Sequence, residues 1–293
     1  IRDSSYLKQN DDIALNAMAA GWMNGFVEIV LGSAVVIPIA VGYLGLDWVI
    51  ENAGFMMAFK TMPFLFDQWG SVIAVISGVA WFGLLFFAGI TSSLAMGTPF
   101  MGFVQDEFNW SKNKSAIILG VSILAMGLPT ILFFEKGVFD EYDYWTGTVS
   151  LVVFALAEVI LFAWVFGMDK GWAEINDGAD MKVPKIYRPI IKYVTPLFIG
   201  TILFTSLIKP LNGELSDWST AWNSLLSGNG WPWAKDSIIN KVFHLDTGVI
   251  WWENDVLTDM FYIDMSRYFL LTCFFVLVAM VKAASNKRKK RAL

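Results

Sequence analysis

The sequence predicts an all-α membrane protein with six transmembrane helices. Three observations carry this. Of the 293 residues 56% are apolar and only 16% charged, the mean hydropathy is +0.55, and six long apolar segments punctuate the chain. A soluble domain carries about 25% charged residues, so this chain lacks the polar atoms to cover a globule in water. Disorder is excluded too, since it needs low hydrophobicity and high net charge. The 24 Phe and 14 Trp suit a lipid-facing surface with interfacial anchors. A net charge of −5 gives no reason to expect a nucleic-acid partner. Single residues of cysteine (Cys273) and histidine (His244) leave no disulfide framework and no Cys/His metal site.

A helical span needs roughly 20 mostly apolar residues to cross about 30 Å of hydrocarbon. The first span reads as 14–44, and 45–70 follows as an outer re-entrant cap, because Trp48, Phe55, Phe59, Phe64, Phe66 and Trp69 make it too apolar for a solvated loop. The second span is 71–107, the third 115–134 and the fourth 145–168. Segment 169–186 reads as a cytoplasmic amphipathic loop, with Trp172 and Ile175 opposite its acids. The fifth span is 187–208, a Trp-rich outer cap occupies 209–260, the sixth span is 261–284, and 285–293 forms a basic tail. Pro38, Pro99, Pro129 and Pro196 fall inside spans, where each removes one backbone hydrogen bond. Both ends fall on one side of the membrane. Placing them inside puts most of the 21 Lys and Arg residues on the cytoplasmic face, as the positive-inside rule requires. The expected location is the cell membrane.

Ionisable groups within spans are functional candidates by default. Glu28 follows Asn24 by four residues, so carboxylate and amide share one helix face. The same pair also fits simple helix–helix hydrogen bonding. In the second span Ala88, Thr91 and Ser92 are spaced i, i+3, i+4, so one carbonyl and two hydroxyls can point to a common spot. Neutral oxygens clustered in this way suit a hard monovalent cation such as Na⁺. The alternative is that Thr91, Ser92 and Ser93 bond back to carbonyls of their own helix. Met96, one turn beyond Ser92, fits either an apolar pocket or plain packing. Glu158, in the fourth span, fits a structural hydrogen bond. Asp143 and Asp106 read as helix-end charges that matter only if an arginine from elsewhere faces them. Enzyme motifs are lacking: there is no HExxH, no GxSxG and no phosphate-binding glycine loop. His244, in the outer cap, reads as unremarkable.

Taken together, several stretches resemble the neurotransmitter:sodium symporter family, especially its bacterial, LeuT-like amino-acid transporters. They are Tyr6-Leu7 with Asp11-Asp12-Ile13, the run NGFVEIVLG from Asn24 to Gly32, and LLFFAGITSSLAMGTPFMGFVQDEF from Leu84 to Phe108. DEYDYWTGT from Asp140 to Thr148, GMDKGWAEIN and KVPKIYRPIIKYVTP continue the match in order. The cap after residue 208 matches poorly and is long.

The resemblance implies a twelve-span inverted-repeat transporter with ions and substrate at its midplane, of which this chain supplies spans 7–12. Its partners would be sodium, a small amino acid or amine, the lipid bilayer, and the N-terminal half of the same transporter. No organic cofactor is implied. Residue by residue, Asn24 aligns with a side-chain ligand of one sodium site, and Ala88 (by its carbonyl), Thr91 and Ser92 with the other. Ser92, Ser93 and Met96 align with substrate-lining positions. Asp143 aligns with an outer gate, and Tyr6 and Asp106 with an inner one, whose arginine partners would lie in the other half. Thr98 departs from the family pattern near that inner gate, where a bacterial relative carries Gln. Glu28 stands where chloride-dependent members carry Ser beside a bound chloride, which implies chloride independence. The competing reading is a self-contained six-span subunit of a channel or carrier that pairs with a separate chain.

Overall fold

A computed structural model describes residues 12–292, apart from 53, 56, 181, 212–213, 246–247 and 255. Tyr6 therefore lies outside the described residues. The fold is all-α in its long elements. Six helices among the described residues are long and apolar enough to cross a membrane, and at most 6% of any apolar window is buried. Apolar surface left open to that degree requires lipid or further protein to cover it. The chain divides into two compact units.

The first unit comprises the chain to Leu119 together with Ile175–Val183. Helix α1 spans Ile13–Leu44. Asp12 caps it by accepting from Leu15 N at 2.8 Å, and its second carboxylate oxygen accepts from Asp180 N at 2.9 Å. Such a cap satisfies an amide that the first helical turn leaves without a partner. Between Phe26 and Val36 the helix winds wider, in a π-helical stretch. Pro38 lies two residues beyond that stretch, and since it has no amide hydrogen one backbone hydrogen bond is missing at the return to regular winding. Gly45, at φ +90°, ends the helix, a backbone angle that favours glycine.

The connection to the next span is itself folded. Helix α2 covers Leu46–Glu51 and α3 covers Met62–Asp67. Met62, Leu65 and Phe66 form a buried core with Val36, Leu44, Trp69 and Trp81 packed against it. The Trp81 indole donates to Ala58 O at 2.9 Å. These contacts tie the connection to the ends of two spans. Helix α4 then runs unbroken from Ser71 to Phe108 and stops at Asn109, whose φ is +55°. The next helix, α5, covers Lys112–Leu132. A Cβ on Gly97 would lie 2.5 Å from a Leu119 methyl, so Leu119 packs onto α4 in the space glycine leaves and would have to shift for any larger residue.

The second unit comprises Gly120–Glu174 and Pro184–Leu293. Helix α6 covers Val138–Asn176 and α7 covers Tyr187–Leu207. Gly167, at φ +99°, breaks the direction of α6, after which a helical segment runs from Met168 to Asn176. The Phe162 ring lies 2.4 Å from where a Cβ on Gly171 would be, so any larger residue there would require the ring to shift. Helices α8 (Leu215–Leu226) and α9 (Ile238–Phe243) and a short hairpin of β1 (Trp252–Glu253) and β2 (Val256–Leu257) occupy the Trp-rich segment. Trp218, Trp222 and Trp233 surround the Trp231 ring at centroid distances of 5.2–6.3 Å, and the Trp231 indole donates to Ile208 O. Helix α10 spans Asp259–Ala292, so the basic residues beyond 284 continue the helix instead of forming a separate tail.

Candidate functional site

The first group of candidate residues lies in α1, with Asn24 just before the π-helical stretch and Glu28 inside it. Asn24 Nδ2 donates to Glu28 Oε1 at 3.0 Å, so the i, i+4 spacing does bring amide and carboxylate together. Ser33 Oγ reaches back five residues to Glu28 O at 3.4 Å. Both Asn24 and Glu28 are exposed among apolar neighbours such as Met23 and Ile29. A carboxylate on such a surface is costly unless a cation or another donor meets it. π-Helical turns of this kind recur at functional sites because they displace side chains and carbonyls from the regular ladder.

The second group sits in the middle of α4. Thr91 Oγ1 lies 2.9 Å from Phe87 O and 3.1 Å from Ala88 O. The hydroxyl therefore does bond back to its own helix, and in doing so it sits beside the Ala88 carbonyl. A hydroxyl that donates one hydrogen keeps its lone pairs, so the oxygens of Ala88 and Thr91 remain a paired acceptor surface. The hydroxyls of Ser92 and Ser93 make no hydrogen bond among the described residues. Residues 88–92 are exposed, nothing lies within 4 Å of a Cβ placed on Gly89, and Met96 is 75% exposed. This face of α4 thus presents uncharged oxygens, flanked by an open glycine and an open thioether. Among the described residues no hydrogen bond joins it to the Asn24–Glu28 pair.

The gate candidates are exposed carboxylates. Asp143 lies in α6, with Oδ1 3.0 Å from where a Cβ on Gly147 would sit, so glycine gives that carboxylate its room. Asp106 is exposed in the last turn of α4. Glu158 is exposed and makes no hydrogen bond among the described residues, so the structural bond expected of it is not formed there.

A third group escapes sequence reasoning. Glu141, only 4% exposed, accepts from Lys241 Nζ at 2.7 Å, Arg267 Nε at 2.9 Å and the Trp145 indole at 2.8 Å. Arg267 also reaches Asp264 Oδ1 at 3.1 Å, and Asp264 accepts from the Trp251 indole at 2.9 Å. His244 Nε2 lies 2.8 Å from Asp264 Oδ1 and 3.0 Å from Arg267 Nη1, and one ring nitrogen serves only one of them at a time. His244 is therefore part of a buried charge network and not the bland residue expected. The one local signal for it was the opposite-charge pair Asp264 and Arg267, three residues apart inside an apolar run.

Comparison with known proteins adds the family. Residues 1–243 match the sodium:neurotransmitter symporter family. An uncharacterised sodium-dependent transporter of Haemophilus influenzae is 26% identical over 216 residues, covering 70% of this chain and 45% of the relative. One of Methanocaldococcus jannaschii is 24% identical over 227 residues, covering 75% and 45%. A sodium-dependent nutrient amino acid transporter 1 of Drosophila grimshawi is 22% identical over 232 residues, covering 73% and 36%. The matched region spans less than half the length of each of these relatives. With six apolar helices of spanning length and a family match over most of its residues, the chain belongs to the sodium:neurotransmitter symporter family.

Proposed function

We propose that this chain is the part of a secondary transporter that holds some of the ligands for two sodium ions and one wall of the pocket for an amino acid or related small amine. The observation that carries the reading is the exposed oxygen face of α4, where Thr91 Oγ1 stands 3.1 Å from Ala88 O and Ser92 is one position on. Sodium favours several hard oxygen ligands, and uncharged ones hold it without excess negative charge in a low-dielectric membrane. Asn24 supplies a ligand to the other ion, and Ser92, Ser93 and Met96 line the substrate pocket. The missing ligands come from the preceding six spans of the same protein, which cover the faces of α1 and α4 left open here.

Bound sodium braces α4 against that other half and favours the outward-facing state; its release to the cytoplasm loosens the packing. Binding that discriminates between two states shifts their populations by its differential affinity, and this couples ion flow to substrate movement. Asp143 and Asp106, with Tyr6, gate the two ends through arginines of the other half. Glu28 supplies the negative charge that other members take from chloride, which makes transport chloride-independent. The protein spans the cell membrane with both ends of this segment in the cytoplasm, in keeping with the basic α10 terminus.

The intact transporter, reconstituted in proteoliposomes with a panel of labelled amino acids and amines, tests this. An inward sodium gradient is expected to drive accumulation of at least one of them by tenfold or more, as roughly 1.4 kcal/mol of coupling suffices for each factor of ten. A potassium gradient of equal size should drive none. Equal uptake under both gradients would overturn sodium coupling.

A further inference from the structure

The turn at Gly167 opens a concavity of about 330 Å³ beside α7, lined by Trp164, Phe166, Met168, Asp169, Lys170 and Lys192. It lies where α6 leaves its apolar run, at the step from the apolar Leu161–Gly167 to the polar Met168–Asn176. Its charge is unbalanced. Asp169, the sole acid of the lining, is held in an ion pair by Arg188. Neither Lys170 nor Lys192 has a carboxylate partner among the described residues. Lys192 Nζ instead lies 5.3 Å from the Trp164 ring centroid and 5.5 Å from that of Tyr193. The Trp164 indole donates to Lys192 O at 3.2 Å, which fixes the ring under the ammonium. Towards the apolar run of α6 the rim is open apolar surface, with Trp164 56%, Val165 72% and Phe166 52% exposed.

Two lysines without acids, an aromatic floor and an apolar flank form an amphipathic receptor. Basic pockets between helix ends at the membrane surface recognise anionic headgroups, and tryptophan settles at headgroup depth. We propose that this concavity holds the headgroup phosphate of an anionic phospholipid between Lys170 and Lys192, with the acyl chains lying along Val165 and Phe166. The inference is independent of the sodium reading.

Native mass spectrometry of the purified intact protein tests it, with phosphatidylglycerol, phosphatidylcholine or inorganic phosphate titrated in separate arms. The first phosphatidylglycerol is expected to bind more tightly than phosphatidylcholine. Each basic residue near an anionic headgroup contributes roughly a fivefold preference, so Lys170→Gln with Lys192→Gln should weaken that event about 25-fold. Lys192→Arg should retain it, as should Lys287→Gln with Lys289→Gln in the basic end of α10. Unchanged binding by the double variant would overturn the proposal, as would loss of binding on changing the α10 lysines. Displacement of the lipid by submillimolar inorganic phosphate would also overturn it, in favour of a soluble anion.

Discussion

Replacing Glu141 by Gln is expected to destabilise the intact protein by about 3–5 kcal/mol, because it removes one partner from a buried charge network. Glu141 accepts from Lys241, Arg267 and Trp145. An amide oxygen replaces only part of that, and the amide NH₂ would face a donor. The cost is dominated by Lys241, which is largely buried and would be left without its carboxylate partner, whereas Arg267 keeps Asp264 at 3.1 Å. At about 2–4 °C per kcal/mol for a chain of this class, the melting temperature should fall by roughly 10 °C. Thermal denaturation followed by size-exclusion chromatography measures it. The double change Glu141→Gln with Arg267→Met should recover part of the loss, since partners in one network are non-additive. An unchanged melting temperature in Glu141→Gln would mean that the network contributes nothing to holding α6, α9 and α10 together.

The second large effect is functional. Intact transporter carrying Glu28→Ser is expected to need chloride, whereas the parent is expected to transport equally well with chloride replaced by gluconate. The reason is electrostatic. A full charge about 8 Å from a bound ion contributes about 2 kcal/mol at an effective dielectric near 20. That corresponds to roughly a thirtyfold change in ion affinity. Removing the Glu28 carboxylate removes that contribution, and a chloride bound beside the new hydroxyl restores it. The readout is initial uptake against chloride concentration. An active Glu28→Ser protein indifferent to chloride would contradict the charge argument, while Asn24, which donates to Glu28 at 3.0 Å, should lose affinity for its sodium in the same variant.

These two residues mark what a single sequence reveals and what it hides. The six long helices are legible because length and apolarity are local properties, and the Asn24–Glu28 and Ala88–Thr91 pairs because their spacing is intrahelical. The π-helical winding from Phe26 to Val36 leaves no pattern to read: apart from Glu28 and Ser33 the segment is apolar, so it offers no amphipathic phase that a wider turn would disturb. Gly167 looks like any glycine in a span until its φ of +99° turns the chain. The Glu141 network was hidden by distance along the chain. Glu141 meets Lys241 and Arg267 from 100 and 126 positions away, and nothing in periodicity predicts such pairs. His244 gains its partners only when α9 and α10 are brought together.

The central claim is that the oxygen face of α4 binds sodium. Equilibrium binding of radioactive sodium to the purified intact transporter tests it most directly, with Thr91→Ala and Ser92→Ala compared against the parent. A lost ligand that leaves its partner ion unsatisfied costs about 1–3 kcal/mol, so each variant should bind that ion about tenfold more weakly or worse. Potassium should not compete in any of them. Sodium affinity unchanged in both variants would contradict the account.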